Sequence, residues 1–199
     1  MPEQLRVLFN LAVFSGLRKG EMLALQWSDI DFENSTVSVT KAAAVVDGQQ
    51  VCKAPKTKNS RREVSIPRFL TDRLHNLMIE QTKTKESLGA YWKGNNWLFT
   101  QSDGSMMSYS TPYATFQDAI DRYNAGKDPD DQLPHIPFHG LRHTSATLLI
   151  AAHQDVRTVS NRLGHAQAST TMNIYAHALK ENDCTASNAL ENMLCKTGA

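Results

Sequence analysis

The chain has 199 residues, is 41% hydrophobic and 21% charged, and carries a net charge of +1. That length suffices for one sizeable core, and the composition is that of an ordinary globular protein. No apolar run approaches the roughly 18 residues a membrane span needs, and the near-neutral sum excludes a uniformly basic nucleic-acid binder.

Leu5, Leu8, Phe9, Ala12 and Val13 recur at helical spacing, so residues 2–14 read as an amphipathic helix that Ser15-Gly16 breaks. A short helix from Arg18 to Leu25 follows, with Glu21 in its first turn. The alternation from Thr36 to Thr40 predicts a strand that continues to Val46. Asp47-Gly48 predicts a hairpin with its return strand at Val51 to Lys53, and Glu63–Ile66 is a third strand ended by Pro67. Leu70, Leu74, Leu77 and Met78 mark a helix, and Trp97-Leu98-Phe99 a buried extended piece. Tyr113, Phe116, Ile120 and Tyr123 mark another helix, with both tyrosines read as core. Residues 126–137 form a loop with three prolines and several acids. Leu141, Ser145, Leu148, Leu149 and Ala152 mark a helix opening at His139, and Val156 to Leu163 the next, stopped by Gly164. Thr170 to His177 and Ala186 to Leu194 predict two further helices. The fold class is α+β and predominantly helical: one domain over residues 1–199, a helical body with a small three-stranded antiparallel sheet.

The charge is uneven. Between Lys53 and Arg68 six cationic side chains meet one acid, Glu63. By count alone this basic turn reads equally well as a solvated hairpin or as a phosphate contact. The start, Met1-Pro2-Glu3-Gln4, lacks the layout of a signal peptide. Cys52, Cys184 and Cys195 have no metal-ligand spacing and fit a reducing compartment.

The chemistry gathers near the C-terminus, in His139-Gly140-Leu141-Arg142-His143, Leu163-Gly164-His165 and Tyr175-Ala176-His177. A phosphodiester under attack gains negative charge, which fixed cations and donors stabilise. Arginine suits this, with a planar fork and a permanent charge. Arg142 lies one turn after His139, on the same face. Arg18 opens a predicted helix, where backbone N–H groups favour anions; its plain alternative is a surface pair with Glu21. His139 and His143 also have a zinc-pair spacing, but Gly140 stands where a metalloprotease has glutamate, and no third ligand is evident. A tyrosine nucleophile needs neighbouring cations and a base, because its pKa near 10 leaves little phenolate at neutral pH. Of the five tyrosines, Tyr175 is the one near such groups in sequence.

Four blocks in this order resemble the tyrosine recombinase, or phage integrase, family. They are Gly16-Leu17-Arg18-Lys19-Gly20-Glu21 with Leu25-Gln26-Trp27; Pro55 to Arg62; His139 to His143; and Leu163-Gly164-His165 followed by Tyr175. The resemblance covers nearly the whole chain. It implies a catalytic domain of the DNA breaking-rejoining type, without the N-terminal DNA-binding domain that family members carry. It implies that Arg18, Arg142, His139 and His165 bind the scissile phosphate and that Tyr175 attacks it. Lys56 protonates the leaving 5′ oxygen, with Lys58 two positions on as the other candidate. His139 also accepts the tyrosine proton. The product is a 3′-phosphotyrosyl link, with no metal and no cofactor required. Lys58, Arg61 and Arg62 are expected to contact the DNA backbone.

The implied function is site-specific recombination, integrating and excising a mobile element. The implied partners are double-stranded DNA and further copies of the chain, a tetramer when two sites are joined. The implied location is the cytoplasm, on the nucleoid, with no membrane partner. The last helix, from Lys180 to Cys195, docks either on its own domain or on a neighbouring copy. A type IB topoisomerase-like nicking-closing enzyme shares the chemistry. A DNA-binding module without catalysis leaves the six-residue set unused. A histidine phosphomonoesterase leaves Tyr175 without a role.

Overall fold

The computed structural model describes residues 1–54 and 61–164. Helix α1 (Glu3–Ser15) buries Leu5, Leu8, Leu11 and Ala12 on one stripe, with Glu3 in its first turn. It stops at Gly16, whose φ of 65° is the left-handed conformation that closes many helices. The chain reverses there into the short α2 (Lys19–Leu23). Arg18 caps this turn in extended conformation, and its backbone N–H donates to Glu21 Oε2 at 2.8 Å.

Strands β1 (Ile30–Asp31), β2 (Thr36–Val39) and β5 (Arg62–Ser65) form an antiparallel sheet in the order β1-β2-β5. Strands β3 (Ala42–Val46) and β4 (Gln49–Lys53) form a separate hairpin. Its two-residue turn has φ of 50° at Asp47 and 77° at Gly48, the pair of positive angles that Asp-Gly supplies. The three-stranded sheet therefore exists, but with different members from those expected. The continuous strand from Thr36 to Val46 breaks at Thr40-Lys41. The Lys41 ammonium is tied to Asp29 at 3.2 Å and to Gln26 at 2.5 Å. This tether turns the chain out of the first sheet and lays β3 across α2.

Helix α3 (Arg68–Leu88) buries Leu70, Leu74 and Leu77. Leu98 and Phe99 are fully buried, and the Leu98 N–H donates to the Leu25 carbonyl at 2.9 Å. In α4 (Thr111–Asn124) the inward stripe is Pro112, Phe116 and Ile120, and Phe116 stacks with Phe9 and Phe138. Tyr113 and Tyr123 flank that stripe and are 47% and 48% exposed, so the expectation that they belong to the core is corrected. In α5 (Gly140–Ala151) the buried stripe is Arg142, Ser145, Ala146 and Ile150. Leu148, expected on that stripe, points outward because the inward row runs in steps of four from Arg142. Helix α6 (Val156–Leu163) ends at Gly164, at φ 66°. No helix among the described residues is long and apolar enough to cross a membrane. The expected helices after residue 164 lie outside the described residues.

The approach of α2 to β3 is close. A Cβ on Gly20 would lie 2.3 Å from the Ala43 carbonyl oxygen, which is backbone and cannot swing aside. Gly20→Ala is expected to cost about 1–3 kcal/mol. In urea the midpoint falls with an unchanged slope; an unchanged midpoint would mean that the hairpin moves freely.

Candidate active site

The site is built on the C-terminal end of α6. A helix leaves its last carbonyls without intrahelical partners, and that end carries partial negative charge. Here three arginines from three other segments meet consecutive carbonyls. Arg62 Nε donates to the Arg162 oxygen at 2.7 Å, Arg142 Nη2 to the Leu163 oxygen at 2.6 Å, and Arg18 Nη2 to the Gly164 oxygen at 3.0 Å. Arg142 also donates from Nη1 to the Gly16 carbonyl at 2.6 Å. Arg162 itself reaches back, donating to the Phe14 and Ser65 carbonyls at 2.7 Å each. These bonds pin α6 to α1, α5 and the sheet at one place.

One carboxylate sits among these cations. Glu21 accepts from Arg18 Nη1 at 3.0 Å and from Arg62 Nη1 and Nη2 at 3.1 and 2.9 Å. Burial pushes its pKa up, but the hydrogen bonds and charge of Arg62, with those of Arg18, outweigh this and hold the carboxyl below its ordinary value. The Arg142 side chain is nearly enclosed. Burial, together with the Arg18 charge, pushes its pKa down to about 9, while Glu21 opposes the shift. Arg18 is the outer guanidinium, with 40% of its side chain exposed.

His139 is the residue immediately before α5, one turn ahead of Arg142, and it is exposed. Its pKa is lowered by partial burial first, then by the charges of His143, Arg142 and Arg18. Its ring meets that of His143 edge-on at 5.0 Å between centroids. No group of three His, Cys, Asp or Glu side chains suited to a metal ion occurs among the described residues.

The structure thus brings Arg18, Arg142 and His139 into one neighbourhood. Arg61 is exposed beside β5. Lys56, Lys58, His165 and Tyr175 lie outside the described residues. Arg62 departs from its expected role as a backbone contact. Its side chain is 7% exposed and committed to Glu21 and the end of α6. The register explains this: Arg62 pairs with Val39 and shares its face with buried Val64, so it points into the core. The same alternation was available in the sequence, where Arg62, Val64 and Ile66 occupy one face and Arg61, Glu63 and Ser65 the other. Glu21 was visible as a partner for Arg18, but its second guanidinium was not.

Glu21→Gln keeps the shape and removes the charge that joins two guanidiniums, one of them buried. It is expected to destabilise the fold by about 3 kcal/mol or more at pH 7. The folded pKa lies below the ordinary 4.5, so this stabilisation is complete above 4.5 and is lost as pH falls toward the folded value. Urea midpoints for the two proteins converge only in that acid range. A gap that closed near neutrality would contradict the assignment.

The phage integrase family model matches residues 1–182. A tyrosine recombinase XerC-like protein of Caldanaerobacter subterraneus subsp. tengcongensis is 34% identical over 96% of this chain and 50% of its own length. The ICEBs1 integrase of Bacillus subtilis is 33% identical over 95% of this chain and 49% of its own. The chain therefore spans about half the length of these curated relatives. Among solved structures, a Tn1549 transposon integrase in complex with transposon right-end DNA superposes with a TM-score of 0.76. It is 23% identical, and the match covers 95% of this chain and 58% of that one. The XerH site-specific recombinase bound to its difH substrate, in a pre-cleavage complex, gives 0.64 at 26% identity, over 93% of this chain and 46% of that one. On the family match over most of its length, this chain belongs to the phage integrase family.

Proposed function

We propose that this chain is the catalytic part of a site-specific recombinase that cuts and rejoins DNA for a mobile element. One observation carries the reading. Arg18 and Arg142, far apart in sequence, converge on the carbonyls of Gly164 and Leu163, immediately before His165, with His139 one turn from Arg142. Guanidinium charge outnumbers carboxylate there, and a phosphodiester would restore the balance. The relatives named as integrases and recombinases support the same activity.

In this mechanism the Tyr175 phenol oxygen attacks phosphorus and its proton passes to His139. Arg18, Arg142 and His165 hold the non-bridging oxygens. The bond from phosphorus to the 5′ oxygen breaks, and Lys56 gives that oxygen a proton. A 5′-hydroxyl of the partner strand then reverses each step. The phosphotyrosyl bond conserves the phosphodiester energy, so the exchange needs no external energy source. The same reading has double-stranded DNA as partner, four copies at the joined sites, and a place on the nucleoid in the cytoplasm. Lys58 and Arg61 would then serve the DNA backbone.

A nicked duplex carrying an end of the parent element should trap the protein on a 3′ phosphate, and Tyr175→Phe should abolish trapping without unfolding the chain. Trapping of that variant at the unsubstituted level would reject the nucleophile. Relaxation of supercoiled plasmid lacking such an end would favour the topoisomerase-like activity instead.

His139 must be neutral to accept a proton, and its pKa is lowered from the usual 6.5. At subsaturating DNA, where the profile reports the free enzyme, cleavage should therefore hold its rate through pH 6.5. It should fall only as pH drops through the lowered value. His139→Gln should remove that acid limb and slow cleavage by about 10²–10⁴-fold. An acid limb centred above 6.5 would contradict the assignment.

A further inference from the structure

Beside Arg18 the surface opens into a cleft of about 380 Å³ that also reaches His139. The proposed chemistry uses those two residues and leaves the rest of the cleft without a role. Its floor is Phe138, buried against Phe9 and Phe116. One wall is Lys19, whose ammonium lies 3.9 Å from the centre of the Tyr109 ring. Tyr109 is held in turn, because its backbone N–H donates to Gln50 Oε1 of the β3–β4 hairpin at 2.8 Å. Tyr113, at the start of α4, also lines the cleft, with about half its surface in water. No carboxylate is among the described residues lining the cleft.

These features select a ligand class. Two adjacent cations, Arg18 and Lys19, ask for two anionic groups rather than one. A ring exposed beside them offers a face to a flat or apolar group. A DNA strand alternates those two properties at every nucleotide. The cleft is continuous with the phosphate site through Arg18 and His139, so a strand gripped at Arg18 must leave the site past some such wall. Partial burial lowers the Lys19 pKa, a cost that an adjoining phosphate would offset.

We propose that this cleft receives the nucleotide next to the scissile phosphate on the cleaved strand, with Lys19 holding its phosphate and Tyr113 packing against its sugar and base. The inference rests on the recombinase reading. Tyr109 receives the lysine on its ring, and the hairpin holds the Tyr109 backbone.

The test uses the full chain and a radiolabelled 30-base-pair duplex from the parent element's end. A photoreactive p-benzoylphenylalanine replaces Tyr113 in one variant and Tyr123 in another, about 15 Å further along the same helix. Position 113 should crosslink at least ten-fold more strongly, within one nucleotide of the cleavage point. Lys19→Gln should weaken binding several-fold and reduce the slope of log affinity against log salt by about one. If the unsubstituted protein forms its covalent adduct but position 123 crosslinks as well as 113, or Lys19→Gln leaves the salt slope unchanged, the cleft is not the subsite. If the unsubstituted protein forms no adduct at all, the recombinase reading fails and takes this one with it.

Discussion

The end of helix α6 governs this molecule. Three consecutive carbonyls there, of Arg162, Leu163 and Gly164, each accept from a different arginine. A helix C-terminus attracts cations by its own partial charge, so these three bonds are made to α6 backbone, and the Arg162 side chain adds two more from α6. This anchor also fixes where the arginines go. Arg142 spends two of its five N–H groups on the Leu163 and Gly16 carbonyls, which sets the plane of its fork. Gly16 is part of the same device. A Cβ there would lie 2.4 Å from Leu163 Cδ2, so the turn after α1 packs directly against the end of α6.

Charge explains why such an arrangement points to an anionic ligand. Arg18, Arg62 and Arg142 share one carboxylate, Glu21, and the helix end supplies only a fraction of a charge. Arg62 satisfies most of the need of Glu21, since it bonds both carboxylate oxygens. Arg18 and Arg142 are left less compensated, and Arg18 is also the more exposed of these two. The carboxylate thus separates the guanidiniums into roles. Arg62 is committed to holding the scaffold, and Arg18 and Arg142 keep the less compensated charge.

Much of this was legible in the sequence, and the illegible parts share a cause. Gly16 and Gly164 end helices because local backbone geometry requires it, and Asp47-Gly48 turns a hairpin for the same reason. His139 and Arg142 stand one turn apart on an element whose start is local. The break at Thr40-Lys41 depends on Asp29 and Gln26, which no local pattern connects to Lys41. Tyr113 and Tyr123 share an apolar stripe by count, but the stripe is wider than the surface available to cover it, and Phe116 and Ile120 take the centre. Arg62 differs from its expected place for another reason. Its charge suggested a surface, whereas its position in the β alternation already placed it beside Val64.

The cleft beside Arg18 follows from the same distribution of constraints. Helix α2 has five residues, too few to be stable alone, and it is held on one side by Glu21 and on the other by the contact of Gly20 with Ala43. Lys19 directly precedes these two anchored positions and is half-buried. It lies along the surface, and Tyr109 is the ring that receives it. The Tyr109 backbone is held by Gln50, from the hairpin that the Lys41 tether swings across α2. One ion pair at the base of the hairpin thus reaches, through Ala43 and Gln50, to the orientation of the lysine next to Arg18. The separation of the hairpin from the main sheet bears on where the Lys19 ammonium lies beside Arg18.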